Sequence, residues 1–214
     1  MPWWNAHLHE FTFSAPTTQA RTMLSRRNDL LKIGPASLYD EDEEPFDIPG
    51  IPPQRHVPHQ IESKLLLKDV FDQDGRLRDV VAPNGQLAPL YYLYDFGDNW
   101  EHELIFKGSK AARQDRPVFT AATGCAPVED SGAIPGWERV KAAFSARNPS
   151  SGQRSRKDWA RQTTAHYSSD TQQDFDPFKD PDLTLLNDKR RWDIHVQESF
   201  AGERGQEDNE YSFN

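Results

Sequence analysis

The clearest pattern of apolar and polar positions lies between Tyr91 and Phe106, where the chain reads YYLYDFGDNWEHELIF. Two short runs rich in aromatic residues flank a Gly-Asp-Asn segment that is typical of a turn. Because successive side chains of a strand point to opposite faces, every second residue shares a face. The pattern therefore predicts a β-hairpin with an aromatic core face and a partly acidic opposite face.

The predicted hairpin has a specific register. Tyr92, Tyr94 and Phe96 share one face of its first strand, and Trp100 and His102 share one face of its second strand. Residues that pair across two strands point to the same face, so the loop must hold an odd number of residues. A three-residue Gly-Asp-Asn loop meets this condition, and it pairs Phe96 with Trp100 and Tyr94 with His102.

Weaker patterns predict further elements along the chain. Residues 7–13 alternate as a strand, residues 25–31 are predicted as a short helix, and residues 63–71 as a helix or a strand entering one. Residues 136–147 have helical spacing, and Asp182 is a suitable N-cap for a last helix.

The domain organisation is predicted from where these patterns fail. Residues 14–60 contain an acidic run and several prolines, which predict a long polar loop or insertion. Residues 196–214 are predicted as an acidic, flexible tail. Residues 1–195 are predicted as one α+β domain, in which an antiparallel or mixed sheet with a central β-hairpin at about 90–107 is packed by several helices.

Composition limits the classes of function. Hydrophobic residues make up 36% of the 214 residues and aromatic residues 11%, which predicts an aromatic core with polar insertions. The net charge of -9 disfavours direct binding to nucleic acid, because that affinity depends on lysine and arginine neutralising phosphates. The single cysteine, Cys125, excludes an intrachain disulfide, and no apolar run could span a membrane. A cytoplasmic location, or a nuclear one in a eukaryote, is expected because the N-terminus lacks a signal-peptide pattern.

Two basic clusters interrupt the acidic composition. The first cluster contains Arg154, Arg156, Lys157 and Arg161, and the second is residues 189–191. Solvated helix faces or helix C-termini are the favoured interpretation of both clusters. A local nucleic-acid-binding patch is the alternative.

Three segments together resemble a known family. They are HLHEF at residues 7–11, YLYDFGDNWEHEL at residues 92–104 and GCAPVEDSGAIPGW at residues 124–137. The second segment is the most specific, because Tyr-Asp-Phe-Gly-Asp-x-Trp-x-His is a long string of uncommon residues. Across most of residues 3–190, the chain resembles the plasmid pRiA4b ORF-3-like family, whose members are often labelled TnpR-type passenger proteins of insertion sequences.

The resemblance implies an α+β fold and a mobile-element context, but it implies no chemistry. The third segment departs from the family at Val128 and Ala133, where proline and glycine are usual. Its matching positions are Glu129, Asp130, Gly132 and Gly136. Family members usually begin with a further strand and helix, which this chain is expected to lack.

Acidic and imidazole side chains from these segments form a candidate polar site. Its members are His7, His9, Asp95, Asp98, Asn99, His102, Glu129 and Asp130. His7 and His9 project from one face of a predicted strand, a spacing that suits joint metal ligation, and His102 is a third candidate ligand. Such ligands suit zinc or another divalent metal, although the pattern establishes no cofactor.

The favoured interpretation of most of these residues is structural. Asp98 and Asn99 are ordinary turn residues, and a histidine on an aromatic face, as at His102, is most simply a core residue. The residues assigned to a structural motif are Tyr92, Tyr94, Phe96, Gly97, Trp100, Gly132 and Gly136. Cys125 is interpreted as a small buried residue rather than a nucleophile.

Three functions are compatible with a sequence that has no recognisable catalytic signature. The sequence has no phosphate-binding glycine loop, no paired-cysteine zinc motif and no nucleophile elbow. The favoured function is a non-enzymatic protein-interaction or scaffold module with an unidentified protein partner. The alternatives are a metal-dependent enzyme, acting on a phosphate ester or nucleic acid through the His/Asp cluster, and an accessory factor of a mobile element.

Overall fold

The computed structural model divides the chain into two compact units. The described residues are 7–15, 28–39, 57–111, 113, 115–165, 175–194 and 196–197. One unit is residues 7–108, called the sheet unit below. The other unit contains residues 109–214 together with the first six residues, and it is called the helical unit.

The sheet unit contains a five-stranded mixed sheet with the order β3-β2-β1-β4-β5. The strands are β1 (His9–Ser14), β2 (Asp29–Gly34), β3 (His59–Ile61), β4 (Leu90–Tyr94) and β5 (Trp100–Leu104). Neighbouring strands are antiparallel except β2 and β3, which are parallel. The predicted α+β fold with a mixed sheet is confirmed. The β4–β5 hairpin lies at one edge of the sheet, and β1 is the middle strand.

Short helices accompany the sheet, and the two longest helices of the described residues lie in the helical unit. The helices are α1 (Leu67–Phe71), α2 (Arg78–Val81), α3 (Ala133–Ser145), α4 (Ser151–Ala165) and α5 (Leu183–Leu186). The backbone N–H of Thr184 donates to Oδ1 of Asp182 at 2.7 Å, so the prediction of Asp182 as a helix N-cap is confirmed, and the helix that it caps is α5. No helix in the described ranges has the length and apolar composition that a membrane crossing requires.

One face of the sheet forms the hydrophobic core with α1 and α2. Its fully or nearly fully buried members are Phe13, Leu31, Ile33, Val70, Val81, Ala88 and Leu90. Alternation along β1 places Phe11 and Phe13 on this face, as the sequence pattern predicts. Burial of these apolar side chains supplies the main favourable free energy of folding in this unit.

The opposite face of the sheet carries a network of polar side chains around the buried residue Glu10. The Glu10 carboxylate accepts hydrogen bonds from Thr12 Oγ1 at 3.1 Å and from Tyr39 Oη at 3.3 Å. It also lies 3.1 Å from the ammonium group of Lys32. Burial, followed by the charge of Glu10, raises the pKa of Tyr39, so its phenol keeps the proton that it donates. The buried carboxylate is thereby paired and hydrogen-bonded, as burial of a charge requires.

The hairpin loop is longer than the sequence predicts. Tyr94 pairs with Trp100, so the loop has five residues, and the prediction of a three-residue loop was wrong. Asp95 explains the difference, because its carboxylate accepts hydrogen bonds from the backbone N–H groups of Gly97 at 2.8 Å and Asp98 at 3.2 Å. Phe96 therefore lies in the loop instead of on the aromatic face. Five is also an odd number, so Tyr94 and Trp100 still share a face.

Part of the predicted 14–60 loop is regular structure. Residues 29–34 form β2, although a helix was predicted for residues 25–31, and residues 59–61 form β3. Residues 25–27 of the predicted helix and the acidic run lie outside the described residues. The helix prediction was wrong for residues 29–31 because pairing with β1 buries Leu31 in the core, and a pairing partner distant in sequence leaves no local signal.

Candidate functional site

The sheet face near the hairpin loop carries a histidine–carboxylate pair. Nε2 of His9 in β1 lies 2.9 Å from Oε2 of Glu62, in the turn that follows β3. The ring centroids of His9 and Tyr92 are 5.9 Å apart. The carboxylate holds one imidazole nitrogen and therefore fixes the orientation of the ring. Sequence reasoning missed Glu62, because 53 residues separate it from His9.

Tyr92 lies between this pair and His102. Its ring centroid is 5.8 Å from that of His102, and it packs at 4.6 Å against Phe11. Burial, together with the negative charge of Glu62, raises the pKa of Tyr92 to about 12. The phenol stays protonated at neutral pH, so Tyr92 packs on this face as an uncharged side chain and is not a nucleophile.

His102 is half-buried on the same aromatic face. Burial lowers its pKa, and a 3.3 Å hydrogen bond from Nδ1 to the carbonyl oxygen of Tyr92 opposes part of that effect. The neutral imidazole is therefore favoured in the folded protein. This is the behaviour of a histidine packed in a core, which is the structural interpretation that the aromatic pattern favours.

The depressed pKa of His102 predicts a loss of stability in acid. Because the folded protein holds this proton less tightly than the unfolded chain, the free energy of unfolding should fall as pH drops from about 6.5 through the folded-state pKa. Chemical denaturation at several pH values between about 5 and about 8 measures the effect. His102→Gln should flatten the pH dependence, and the exposed His59→Gln serves as the matched control. An unchanged profile in His102→Gln would contradict the assignment.

His7 contacts a different carboxylate from His9. Its Nδ1 lies 3.8 Å from Oδ1 of Asp95, and its ring meets that of Tyr94 edge-on at 5.7 Å. Asp95 is buried, and its left-handed backbone opens the hairpin loop. One imidazole and one carboxylate at this separation could hold a divalent metal. The structure brings His7 to Asp95 and His9 to Glu62, and metal-dependent catalysis by these residues stays a hypothesis.

The remaining candidates lie in the helical unit or in the loop. Glu129 is buried and Asp130 is exposed, in the turn before Gly132, which is the N-cap of α3. Cys125 is half-buried, and burial followed by the charge of Asp176 raises its pKa. The thiol form is therefore favoured, which agrees with the interpretation of Cys125 as a structural residue. In the loop, Asp98 donates its backbone N–H to Asp95.

An apolar groove of about 250 Å³ opens at the other end of the hairpin. Phe13 and Leu90 line its inner part, and Leu104, Ile105 and Phe106 line its outer part. The ring of Phe106 stacks on that of Phe71 with centroids 4.6 Å apart. We call this feature the hairpin groove.

The rim of the hairpin groove is unusually apolar for a surface. Ile105 is 63% exposed, and Phe106 and Leu104 are also exposed. Leu67 is 78% exposed and lies four residues before Phe71, so it extends the same face of α1. Glu103 is the only charged residue among the described residues that line the groove.

The sequence pattern extended the hairpin to Phe106, with an aromatic core face, and did not indicate the groove. The strand ends at Leu104, so the alternation that was extended to Phe106 does not apply there. One signal was present, because three consecutive apolar residues at 104–106 break the alternating pattern at a strand end.

Comparison with known proteins gives a family and no activity. The family model described as plasmid pRiA4b ORF-3-like protein matches residues 1–179. Among solved structures, the crystal structure of a protein of unknown function from Methanosarcina mazei Go1 is similar, with 23% sequence identity and a TM-score of 0.46. The similarity covers 86% of this chain and 74% of that chain. No curated protein matches the sequence.

Proposed function

The chain belongs to the plasmid pRiA4b ORF-3-like family, and we propose that it is a non-enzymatic protein-interaction module whose hairpin groove binds an apolar segment of a partner protein. The observation that carries this proposal is the exposed apolar rim formed by Leu104, Ile105 and Phe106. Contiguous apolar surface is unfavourable in water, and on soluble proteins it usually marks an interaction site.

The shape of the groove favours a few inserted side chains over a broad flat contact. Its volume of about 250 Å³ is small for a cofactor and suits one or two large apolar side chains. The stacked rings of Phe71 and Phe106 form a firm wall, and aromatic side chains commonly anchor interfaces. A partner segment with leucine, isoleucine or phenylalanine fits these features.

Charge favours a basic partner over a second copy of this chain. The chain carries a net charge of -9, and Glu103 lines the groove. In a symmetric contact between two copies, the same acidic surface would face itself and the charges would repel. A partner segment with lysine or arginine beside its apolar residues would pair with Glu103 and associate faster.

Replacing Ile105 by glutamate is expected to abolish most of this binding. Selection from a displayed library of random peptides should enrich peptides with apolar residues next to basic ones. A labelled selected peptide should then bind Ile105→Glu at least about tenfold more weakly, because burial of an isoleucine side chain contributes roughly 1.5–3 kcal/mol. Fluorescence anisotropy measures the affinity, and circular dichroism checks the fold.

The helical unit offers a matched control for this experiment. Ile134 is 66% exposed, nearly the same as Ile105, and Ile134→Glu should leave peptide affinity within about twofold of wild type. Equal losses in the two variants would overturn the proposal. Analytical ultracentrifugation gives a second criterion, since a wild-type dimer that Ile105→Glu dissociates would assign the groove to a second copy.

A further inference from the structure

The helical unit contains a cavity of about 390 Å³ that combines aromatic and cationic side chains. Its aromatic members are Phe144, Phe175 and Phe178, and its cationic members are Lys157, Arg161 and Lys179. Asp176 is the one acidic residue among the described lining residues. The lining therefore carries an excess of positive charge, within a chain whose net charge is -9.

The cations are arranged around one ring. The ammonium nitrogen of Lys157 lies 5.1 Å from the ring centroid of Phe144, and the guanidinium carbon of Arg161 lies 5.4 Å from it. Lys157 and Arg161 are four residues apart on α4, so both project from the same helix face. Phe175 meets Phe144 edge-on, with centroids 5.5 Å apart. Two cations and two rings thus converge on one concave surface.

The acidic side chains near Arg161 do not use all the hydrogen-bond donors of its guanidinium group. Its Nη1 lies 3.9 Å from Oδ1 of Asp158, which is three residues earlier on the same helix. The Asp158 side chain is largely exposed, and exposed ion pairs contribute little to stability. The buried Nε–H group of Arg161 donates to no acceptor among the described residues. Arg161 also lines the cavity, and a guanidinium group beside a cavity is well suited to bind an oxyanion.

We propose that this cavity binds a nucleoside monophosphate. The phosphate would receive charge-assisted hydrogen bonds from Lys157, Arg161 and Lys179, and the base would pack on the phenylalanine rings. The cavity volume lies within the usual range for small-molecule sites. A small anion fits better than a nucleic-acid strand, because a polyanion would meet the repulsion of a chain with a net charge of -9.

Isothermal titration of the full chain with AMP, adenosine and inorganic phosphate tests this proposal. AMP should bind saturably and at least about tenfold more tightly than either of its parts, because only AMP engages both the cations and the rings. Arg161→Gln and Lys157→Gln should each weaken AMP binding by about tenfold, since each removes a charge-assisted hydrogen bond. Circular dichroism establishes that each variant is folded.

Arg154 provides the matched control on the same helix. It is exposed, does not line the cavity, and donates to the carbonyl oxygen of Pro149, so Arg154→Gln should keep AMP affinity within about twofold. The proposal is overturned if AMP shows no saturable binding, if Arg154→Gln weakens binding as much as Arg161→Gln, or if phosphate binds as tightly as AMP. Tighter binding of a deoxyadenosine oligomer than of AMP would also overturn it in favour of a single strand.

Discussion

Replacing Phe13 by alanine is expected to lower the free energy of unfolding by about 4 kcal/mol. Phe13 is 1% exposed in β1, the middle strand of the sheet, and it belongs to the buried cluster that the sheet forms with α1 and α2. Removing its ring loses the hydrophobic transfer free energy and leaves a cavity that the neighbouring strands cannot fill. Urea denaturation followed by circular dichroism measures the loss.

Phe96→Ala is the matched control for this change. Phe96 lies in the hairpin loop and is 43% exposed, so its replacement should cost less than about 1 kcal/mol. The comparison also tests the corrected register, because the three-residue loop would have placed Phe96 opposite Trp100 on the aromatic face. A cost for Phe96→Ala close to that of Phe13→Ala would contradict the five-residue loop.

Replacing Gly136 by alanine is expected to destabilise the start of α3 by about 3 kcal/mol. A Cβ atom at Gly136 would overlap the backbone carbonyl oxygen of Ser131. The obstacle is backbone rather than a flexible side chain, so the turn before the helix would have to move. The backbone N–H of Gly136 also donates to the carbonyl oxygen of Gly132 at 3.0 Å, and the same movement would strain this hydrogen bond.

Gly152 in α4 separates this steric effect from helix propensity. A Cβ atom at Gly152 would meet no atom within 4 Å, so Gly152→Ala should raise the free energy of unfolding by up to about 1 kcal/mol. Thermal or urea denaturation of the two variants gives opposite signs if the geometry is correct. A neutral or stabilising Gly136→Ala would show that the turn is free to adjust.

The candidate site was only partly predictable because its contacts join distant segments. The pattern HLHEF predicted two histidines on one strand, but it could not predict that His7 meets Asp95 while His9 meets Glu62. The separation of these partners along the chain leaves no local signal. The hairpin groove was missed for a related reason, since the exposure of Ile105 depends on where β5 ends.

The basic cluster on α4 illustrates the same limit. Its composition favoured a solvated helix face, and that interpretation suits the exposed Arg154. Lys157 and Arg161 instead border a cavity because Phe144 of α3 and Phe175 lie beside them. Charge spacing along one helix cannot predict which aromatic residues from other segments will lie next to it.

The sequence by itself determined the family resemblance, the α+β class and the shared aromatic face of the hairpin. These features are encoded locally, in motif residues, alternation and an odd loop length. Only the tertiary structure decided the five-residue loop, the strand at residues 29–34 and the two concave surfaces. The strand and the two concave surfaces depend on contacts between segments distant in the chain, such as β1 with β2, and the free energy of such contacts overrides local propensity. The loop length depends instead on the hydrogen bonds that the Asp95 carboxylate accepts from Gly97 and Asp98, which the alternating pattern does not show.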